Sequence, residues 1–503
     1  MAEIDKTLPN VIKQPTEIPT PEVTGEDTEV NLVEDQVTED VEQTELPDGG
    51  VEINFDPRSK LNGQQPEGHF DNLTEAVDDG FLSKLGSEMQ ANYTDYKNSR
   101  KDWEQTYIKG LDLLGFKYSV KTEPFQGASG ATHPVLAEAV TQFQAQAYKE
   151  LLPADGPVRT QVIGRSDPQR EQQSQRVKDF MNYEIMYDLK EYEAEFDQML
   201  FHLPLAGSTF KKVYYDSLLQ RAVSKFVQAD DLVVPYSATS LDDTEAIIHV
   251  VKMSENELRK QQVSGFYRDV ELTKPAITSD KVEEKQKSLA GTTKVGRQED
   301  VYTLLECHVN LDIEGFEDVG PEGEPTGIKL PYVVTLEESS RVVLSIRRNF
   351  APNDPTRKKV QYFVHFKFLP GLGFYGFGLI HMIGGLSRTA TVALRQLLDA
   401  GTLSNLPAGF KLRGVRVRDD AAPIQPGEFR DVDAPGGSLK DAFQFLPYKE
   451  PSQTLLQLMG IVVQAGQRFA SIADMQVGDG NQQAAVGTTV ALLERGSRVM
   501  SAI

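Results

Sequence analysis

Apolar residues recur at helical spacing in some stretches of the chain and at strand spacing in others, while residues 1–80 carry no apolar period at all. Ordered structure is expected to begin near Leu82, with helical spacing over 88–114. Over 134–152, Val135, Ala139, Val140, Phe143, Ala147 and Leu151 fall on one stripe. Pro134 near its start and Pro153 just past its end mark the limits. Residues 169–189 and 192–203 predict two further helices, and 210–215 with 222–227 a β-hairpin. Ser254 and Glu257 have the spacing of a capping box at the start of a short helix. Residues 274–300 are polar, charged and aperiodic, which predicts a surface insertion. Strands are expected at 301–311, 332–336, 342–346 and 359–368.

After Gly378 the pattern lengthens. Residues 379–400 predict a helix with Leu379, Ile383, Leu386, Ala390, Ala393 and Leu397 on one stripe. Residues 406–438, rich in Gly and Pro with short alternations, predict small strands. Residues 452–475 predict a second long helix, apolar along Leu455, Met459, Val462, Phe469 and Ala473. Its other side carries Gln453, Gln457, Gln464, Gln467 and Ser471, where Lys/Glu pairs would be the ordinary choice. A Gly/Gln loop, QVGDGNQQAAVG, precedes a last helix from about Thr489. That helix meets no stop signal before Ile503, so the natural chain is expected to continue. The fold class implied is α+β.

Charge changes the picture of the N-terminal region. The net charge of −23 is unevenly spread: residues 1–80 hold 21 Asp/Glu against 4 Lys/Arg, leaving 54 against 48 in the rest. The body is therefore nearly neutral, and the acidity belongs to a tail expected to be disordered. A solubilising arm is the simpler reading of that tail, with a docking arm for a basic partner left open. One cysteine, Cys307, excludes an internal disulfide, and MAEIDKTLPN lacks the basic and apolar regions of a secretory leader. Residues 368–387 contain no Asp, Glu, Lys or Arg, but six glycines and Pro370 make this a poor spanning helix. No membrane association is expected.

Candidate chemistry centres on GLGFYGFG, where Gly371, Gly373 and Gly376 form G-x-G-x-x-G and Gly378 follows. A dinucleotide fold needs a feeding strand, a following helix and an acidic residue ending a second strand. Asp399 has roughly the right distance but falls inside the predicted helix. The competing reading is a tight turn from strand into helix. There is no G-x-x-x-x-G-K-[ST], no G-x-S-x-G and no H-x-x-x-H, so no catalytic residue, metal ligand or cofactor is assigned. Cys307 and His308, adjacent in a strand, should point to opposite faces. In KLRGVRVR, alternation would place Lys411 and Arg413 on one face and Arg416 and Arg418 on the other. Residues 401–450 balance seven cations with seven anions, with Asp419, Asp420, Glu428 and Asp431 close by, which favours an exposed, balanced strand over DNA affinity and leaves partner docking open. Arg495 and Arg498 share a face of the last helix with the same two readings open.

The strings FYGFGLIHMIGGLSR, DAGTLSNLPAGF and VGTTVALLERGSRVMSAI, in this order over 130 residues, resemble the portal (head-to-tail connector) proteins of tailed bacteriophages, nearest to those of short-tailed phages. The resemblance implies a ring, typically of twelve copies, at one capsid vertex of the virion, assembled in the host cytoplasm. Residues 81–378 would be the wing, 379–400 and 452–475 the stem helices, and 401–451 the clip. Residues 476–487 would be the tunnel loop and 488–503 the start of a C-terminal wing or crown helix. It implies double-stranded DNA in the channel, facing Gln457, Gln464, Gln467, Gln476, Asn481, Gln482 and Gln483. Terminase and tail adaptors would dock at the clip through Lys411, Arg413, Arg416 and Arg418, and major capsid and scaffolding proteins would surround the ring. Gly371, Gly373, Gly376 and Gly378 would form the wing-to-stem bend, and Gly384–Gly385 would let neighbouring helices pack closely. Two rivals stay open here: a nucleotide-cofactor enzyme using the glycine loop, and a ring scaffold through which no DNA passes.

Overall fold

The computed structural model describes residues 68–469 apart from 118–124, 165–166, 217–218, 275–279, 293–300, 320–323, 353, 355, 406–408, 412–415, 418–431 and 434–442, together with two strands nearer the N-terminus. The chain divides into two units, Met1–Pro66 and Glu67–Ile503. In the first, β1 (Glu42–Glu45) and β2 (Val51–Asn54) pair antiparallel, Glu42 opposite Asn54. The rest of the expected acidic tail up to residue 67 lies outside the described residues.

The second unit starts earlier than its apolar pattern suggests. A 3-10 turn, Leu73–Glu75, buries Leu73 and is capped by the Asn72 side chain. Asn72 also donates to Leu344 O and accepts from Ile346 N, so residues 68–80 belong to the body rather than to the tail. α1 (Asp79–Ser99) opens with Asp78 accepting from Gly80 N, and α2 (Lys101–Leu111) follows after a break at Arg100. The single helix expected over 88–114 is thus two. Arg100 is buried, and its guanidinium donates to the carbonyl oxygens of Ala229, Asp230 and Leu232 and to the Tyr375 hydroxyl. A charged group inside the protein persists only where partners of this kind meet it; here both terminal nitrogens have them, while Nε is buried without one.

α3 (Val135–Leu151) matches its predicted stripe within one residue at each end. α4 (Pro168–Tyr183) starts on proline and runs into a π turn, Glu184–Asp188. α5 (Tyr192–Ala206) stops at Gly207, whose φ of +83° suits glycine. β3 (Ser208–Asp216) and β4 (Arg221–Val227) form the expected hairpin, and β5 (Leu232–Val233) and β6 (Ala246–Ser254) follow. α6 (Glu255–Val263) has both halves of the predicted capping box. α7 (Lys281–Leu289) corrects the surface-insertion reading of 274–300. It is capped by Asp280, buries Val282 completely, and is tied to the body by Lys97–Asp280 (2.8 Å) and Lys285–Asp112 (2.5 Å). One deeply buried residue on a nine-residue helix leaves no readable stripe.

β7 (Val301–Leu311), β8 (Leu330–Glu337) and β9 (Val343–Arg348) complete a five-stranded antiparallel sheet of order β5-β6-β7-β8-β9. β10 (Phe363–Lys367) pairs with β3, giving a second antiparallel sheet, β10-β3-β4. α8 (Leu379–Asn405) is five residues longer than expected, so the segment 401–451 begins inside a helix. β11 (Gly409–Lys411) pairs with β14 (Phe443–Phe445), and β12 (Arg416–Val417) with β13 (Val432–Asp433). α9 (Gln453–Phe469) returns alongside α8. The fold is α+β, as the pattern implied.

One core lies among α2, α3, α5, α8 and the three-stranded sheet, centred on Leu136, Met199, Leu200, Phe210 and Ile383. Another fills the space between α1 and the five-stranded sheet, around Leu85, Met89, Ile248, Val334 and Ile346. Cys307 points into that second core, whereas His308 lies on the opposite face against Tyr362 and Phe363. Each fully buried Leu, Ile or Phe contributes about 1.5–3 kcal/mol of transfer free energy.

Candidate functional site

The glycine turn lies where β10 gives way to α8, and what it meets there is backbone. A Cβ on Gly376 would fall 2.4 Å from Gly207 O, one on Gly378 2.4 Å from Leu205 O, and one on Gly371 2.5 Å from Tyr375 O. Reciprocally, a Cβ on Gly207 would fall 2.4 Å from both Gly376 O and Gly378 N. Two chain segments therefore cross at a separation only glycine allows. Gly373 differs from the other three, having nothing within 4 Å of its would-be Cβ.

Hydrogen bonds close the crossing. Phe368 N donates to Gly207 O (3.0 Å), Phe377 N to Leu369 O (2.9 Å), and Gly376 N to Ser208 Oγ (2.8 Å). Gly378 N donates to His381 Nδ1 (3.2 Å), while burial lowers the pKa of that imidazole and favours its neutral, accepting form. A phosphate cradle works by aiming free amides at an anion. Here Gly376, Phe377 and Gly378 spend theirs inside the fold, and the feeding strand belongs to an antiparallel sheet rather than a parallel one. The dinucleotide reading fails on this geometry, which is that of a tight turn from strand into helix.

The turn is fastened to the rest of the body through Tyr375. Its ring stacks on Trp103 at 5.2 Å between centroids, and its hydroxyl donates to Leu232 O and accepts from Arg100. Farther along α8, the loop before α3 is latched to the helix. Asp399 accepts from Ser129 N (2.7 Å), Thr391 from His133 N (3.1 Å), and Arg395 donates to Ala131 O (2.7 Å). Asp399, weighed from sequence as a ribose ligand, thus holds a neighbouring loop. Arg395 and Gly207 were not singled out by spacing. A charged pair one helical turn apart, opposite a Gly/Ser loop, was the only available signal.

α8 and α9 lie side by side. Leu455, Met459, Val462 and Val463 turn inward and are half-buried, and Gly466 is buried with its would-be Cβ 3.1 Å from Val135. Gln453, Gln457 and Gln464 are exposed, whereas Gln467 is half-buried. The two-faced reading of α9 needs correction: Leu456, Leu458 and Ile461 are exposed at 53%, 47% and 65%. On α8, Gly385 is open, while Gly384 is buried within its own subunit, 3.7 Å from Leu113. Only Gly385 is free to meet a neighbouring helix.

Lys411 closes β11 and Arg416 opens β12, and the two strands have different partners. Arg413 and Arg418 lie outside the described residues, as do Gln476, Asn481, Gln482, Gln483, Arg495 and Arg498.

Between the two sheets sits a buried ionic cluster. Lys212 on β3 contacts Glu306 on β7 at 2.5 Å, and Glu306 also meets His308 (2.8 Å) and His249 (4.0 Å). Burial alone would raise the Glu306 carboxyl, but Lys212, His308 and His249 hold it well below the usual range. Burial pushes His249 down to about 3. Among the described residues the cluster is reached by a hollow of only about 10 Å³, lined by His308, Asn349 and Lys359. It is a joint between sheets. Among the described residues no group of His, Cys, Asp or Glu could hold a metal ion, and no helix is long and apolar enough to cross a membrane.

Residues 138–478 match the family model for the phage SU10 portal protein. No curated protein matches the chain.

Proposed function

The chain belongs to the phage SU10 portal protein family, whose members are structural parts of the capsid vertex serving genome packaging and head-to-tail connection, and on that premise we propose that it is the subunit of a homo-oligomeric ring, dodecameric by expectation, through which double-stranded DNA passes. The observation that carries this reading is the exposed side of α9. Gln453, Gln457 and Gln464 present uncharged polar groups there, and beside them Leu458 and Ile461 stand uncovered.

A conduit must pass any sequence in either direction. Affinity for DNA grows with each phosphate neutralised, so a cationic lining would stall transit. Glutamine amides hydrogen-bond weakly and exchange with water, which suits a wall that lets go. The uncovered apolar residues of α9 suit contact with adjacent copies. On this reading α8 and α9, the latter continuing to 475, are the stem, and the body up to 378 is the wing, joined to the stem by the glycine turn. Residues 401–451 are the clip, where Lys411, Arg413, Arg416 and Arg418 meet terminase during packaging and tail adaptors afterwards. Residues 476–487 form the tunnel loop, with Gln476, Asn481, Gln482 and Gln483 facing DNA. Capsid and scaffolding proteins pack around the wing, and assembly takes place in the host cytoplasm.

Negative-stain electron microscopy of the purified full chain tests the ring. Closed rings with a hole wide enough for a duplex are expected, and a persistent monomer would overturn the reading. DNA affinity is expected to be weak and to fall with salt. Nanomolar binding at physiological salt would remove the conduit role even if rings form.

A further inference from the structure

Among the described residues β4 is the last strand of its sheet, and an edge strand is a template for further pairing. Which of its groups face outward follows from the register. Val213 donates its amide to Tyr362 O on the far side of β3, and Val213 stands opposite Ser224. Ser224 therefore turns its own amide and carbonyl away from β3, and so do Ala222 and Phe226, two positions to either side. These three residues carry the outward hydrogen-bonding groups of the edge.

The segment that opens α5 meets them with carboxylates. The Phe226 amide donates to Glu195 Oε2. Glu191, just before the helix, lies against the Ser224 amide and accepts from both terminal nitrogens of Arg221 (2.9 and 2.8 Å). Arg221 in turn donates to the outward carbonyl of Ala222 (3.2 Å). The spacing allows the match: residues four apart on a helix stand about 6 Å apart, and alternate residues of a strand about 6.8 Å. The carboxylates are themselves held in place. Arg221 and the Ser224 amide keep the Glu191 carboxyl below its usual range. Lys211, buried on β3 with its Nζ 3.8 Å from the centre of the Tyr192 ring, attracts both Glu191 and Glu195. The apolar anchoring of α5 comes from other positions, Phe196, Met199, Leu200 and Leu203. A helix docked by those alone would leave the Ser224 and Phe226 amides without acceptors.

We propose that Glu191 and Glu195 form an autoinhibitory contact that closes the edge of β4 to strand addition by a second copy of the chain. A second copy fits because the outward groups are symmetric about Ser224. Antiparallel pairing with Ser224 opposite its own counterpart sets Ala222 opposite Phe226 twice, so the edge satisfies itself. Such a contact is isologous and closes at a dimer, whereas a ring needs two different surfaces. The carboxylates thus keep the chain from a wrong closure. This is a property of a single copy and does not depend on the ring reading.

Hydrogen–deuterium exchange of the full chain, read on peptides spanning 221–227, tests the contact. Glu195→Ala is expected to speed exchange there about tenfold, and Glu195→Gln, which keeps an acceptor oxygen, to restore most of the protection. Unchanged exchange in Glu195→Ala would overturn the proposal, since α5 would then cover the edge without its carboxylates. Association is tested by native mass spectrometry on the chain carrying both Glu191→Ala and Glu195→Ala. A dimer absent from the unsubstituted chain is expected, growing with concentration. Should the double variant fail to accumulate, Glu195→Ala alone carries the same measurement. Faster exchange with no new dimer would overturn the inhibitory role and leave only a packing contact. Leu200→Ala is the control, because it loosens the same helix from the core and leaves both carboxylates. It is expected to lose stability without forming the dimer. A dimer of equal yield from Leu200→Ala would overturn the proposal by tracing association to instability.

Discussion

The glycine turn and the helix α4 sit at opposite extremes of how a subunit treats its own surface. At the turn, two backbones cross within the space of one Cβ, and the amides of Gly376, Phe377 and Gly378 all have partners. On α4, large apolar side chains have nothing over them, and polar ones face inward. The first region is complete within one copy of the chain. The second is unfinished, and α9 shares that property through Leu458 and Ile461. Close packing leaves no slack for added atoms, whereas an exposed face tolerates almost any side chain until a partner arrives. Substitutions in the two regions should therefore be felt in different experiments, one in folding and the other in assembly.

The largest expected effect is at the crossing. Gly378→Val would place carbon against the backbone of Leu205 and Gly207, neither of which can yield as a side chain could. A loss of about 4 kcal/mol or more is expected, read by chemical denaturation or as failure to accumulate soluble protein.

Next comes the joint between the sheets, where the effect depends on pH. The His249 pKa is depressed in the fold to about 3, against about 6.5 when unfolded, so below pH 6.5 the unfolded chain binds the extra proton. Its stabilising contribution is complete above that value and is lost as pH falls toward 3. His249→Phe should make the acid-side decline shallower in denaturation midpoints measured from pH 7 to 4. Burial raises the carboxyls of the neighbouring Asp230 and Asp231, which act in the opposite sense, so the result is read as a difference from the unsubstituted chain. An unchanged slope would show that the cluster does not keep His249 neutral.

Smaller still in stability, Ile461→Ser should cost the isolated subunit less than about 0.5 kcal/mol while reducing ring yield, measured by denaturation and native mass spectrometry together. A large loss in the monomer would mean that α9 is already complete without a neighbour. Gly373→Ala should change almost nothing, because no atom lies near its would-be Cβ. Damage comparable to Gly378→Val would return importance to the G-x-G-x-x-G spacing itself, rather than to the crossing at Gly207.

Much of this architecture was legible in the residues. The bounds of α3 and β7, the opposite faces of Cys307 and His308 and the capping box of α6 all follow from local periodicity and appear as expected, although Leu151, expected on the α3 stripe, is exposed. The misses share a cause. α7 is held by one buried valine and three ion pairs to the body, the break before α2 by an arginine reaching carbonyls some 130 positions away, and the start of the body by Asn72 reaching β9. Contacts so distant in sequence leave no period to read. The candidate site was partly legible: the turn was placed, but spacing alone could not separate a phosphate cradle from a backbone crossing.

By itself, then, the sequence determined the α+β class, the positions of the long helices and the glycine turn between strand and helix, because periodicity and residue shape act over a few neighbouring positions. The tertiary structure alone decided that Gly207 is the turn's partner, that Asp399 and Arg395 latch a loop, and that α4 turns its apolar side outward. Those outcomes depend on which distant segments meet, and a hydrophobic pattern states that a face must be covered without stating by what.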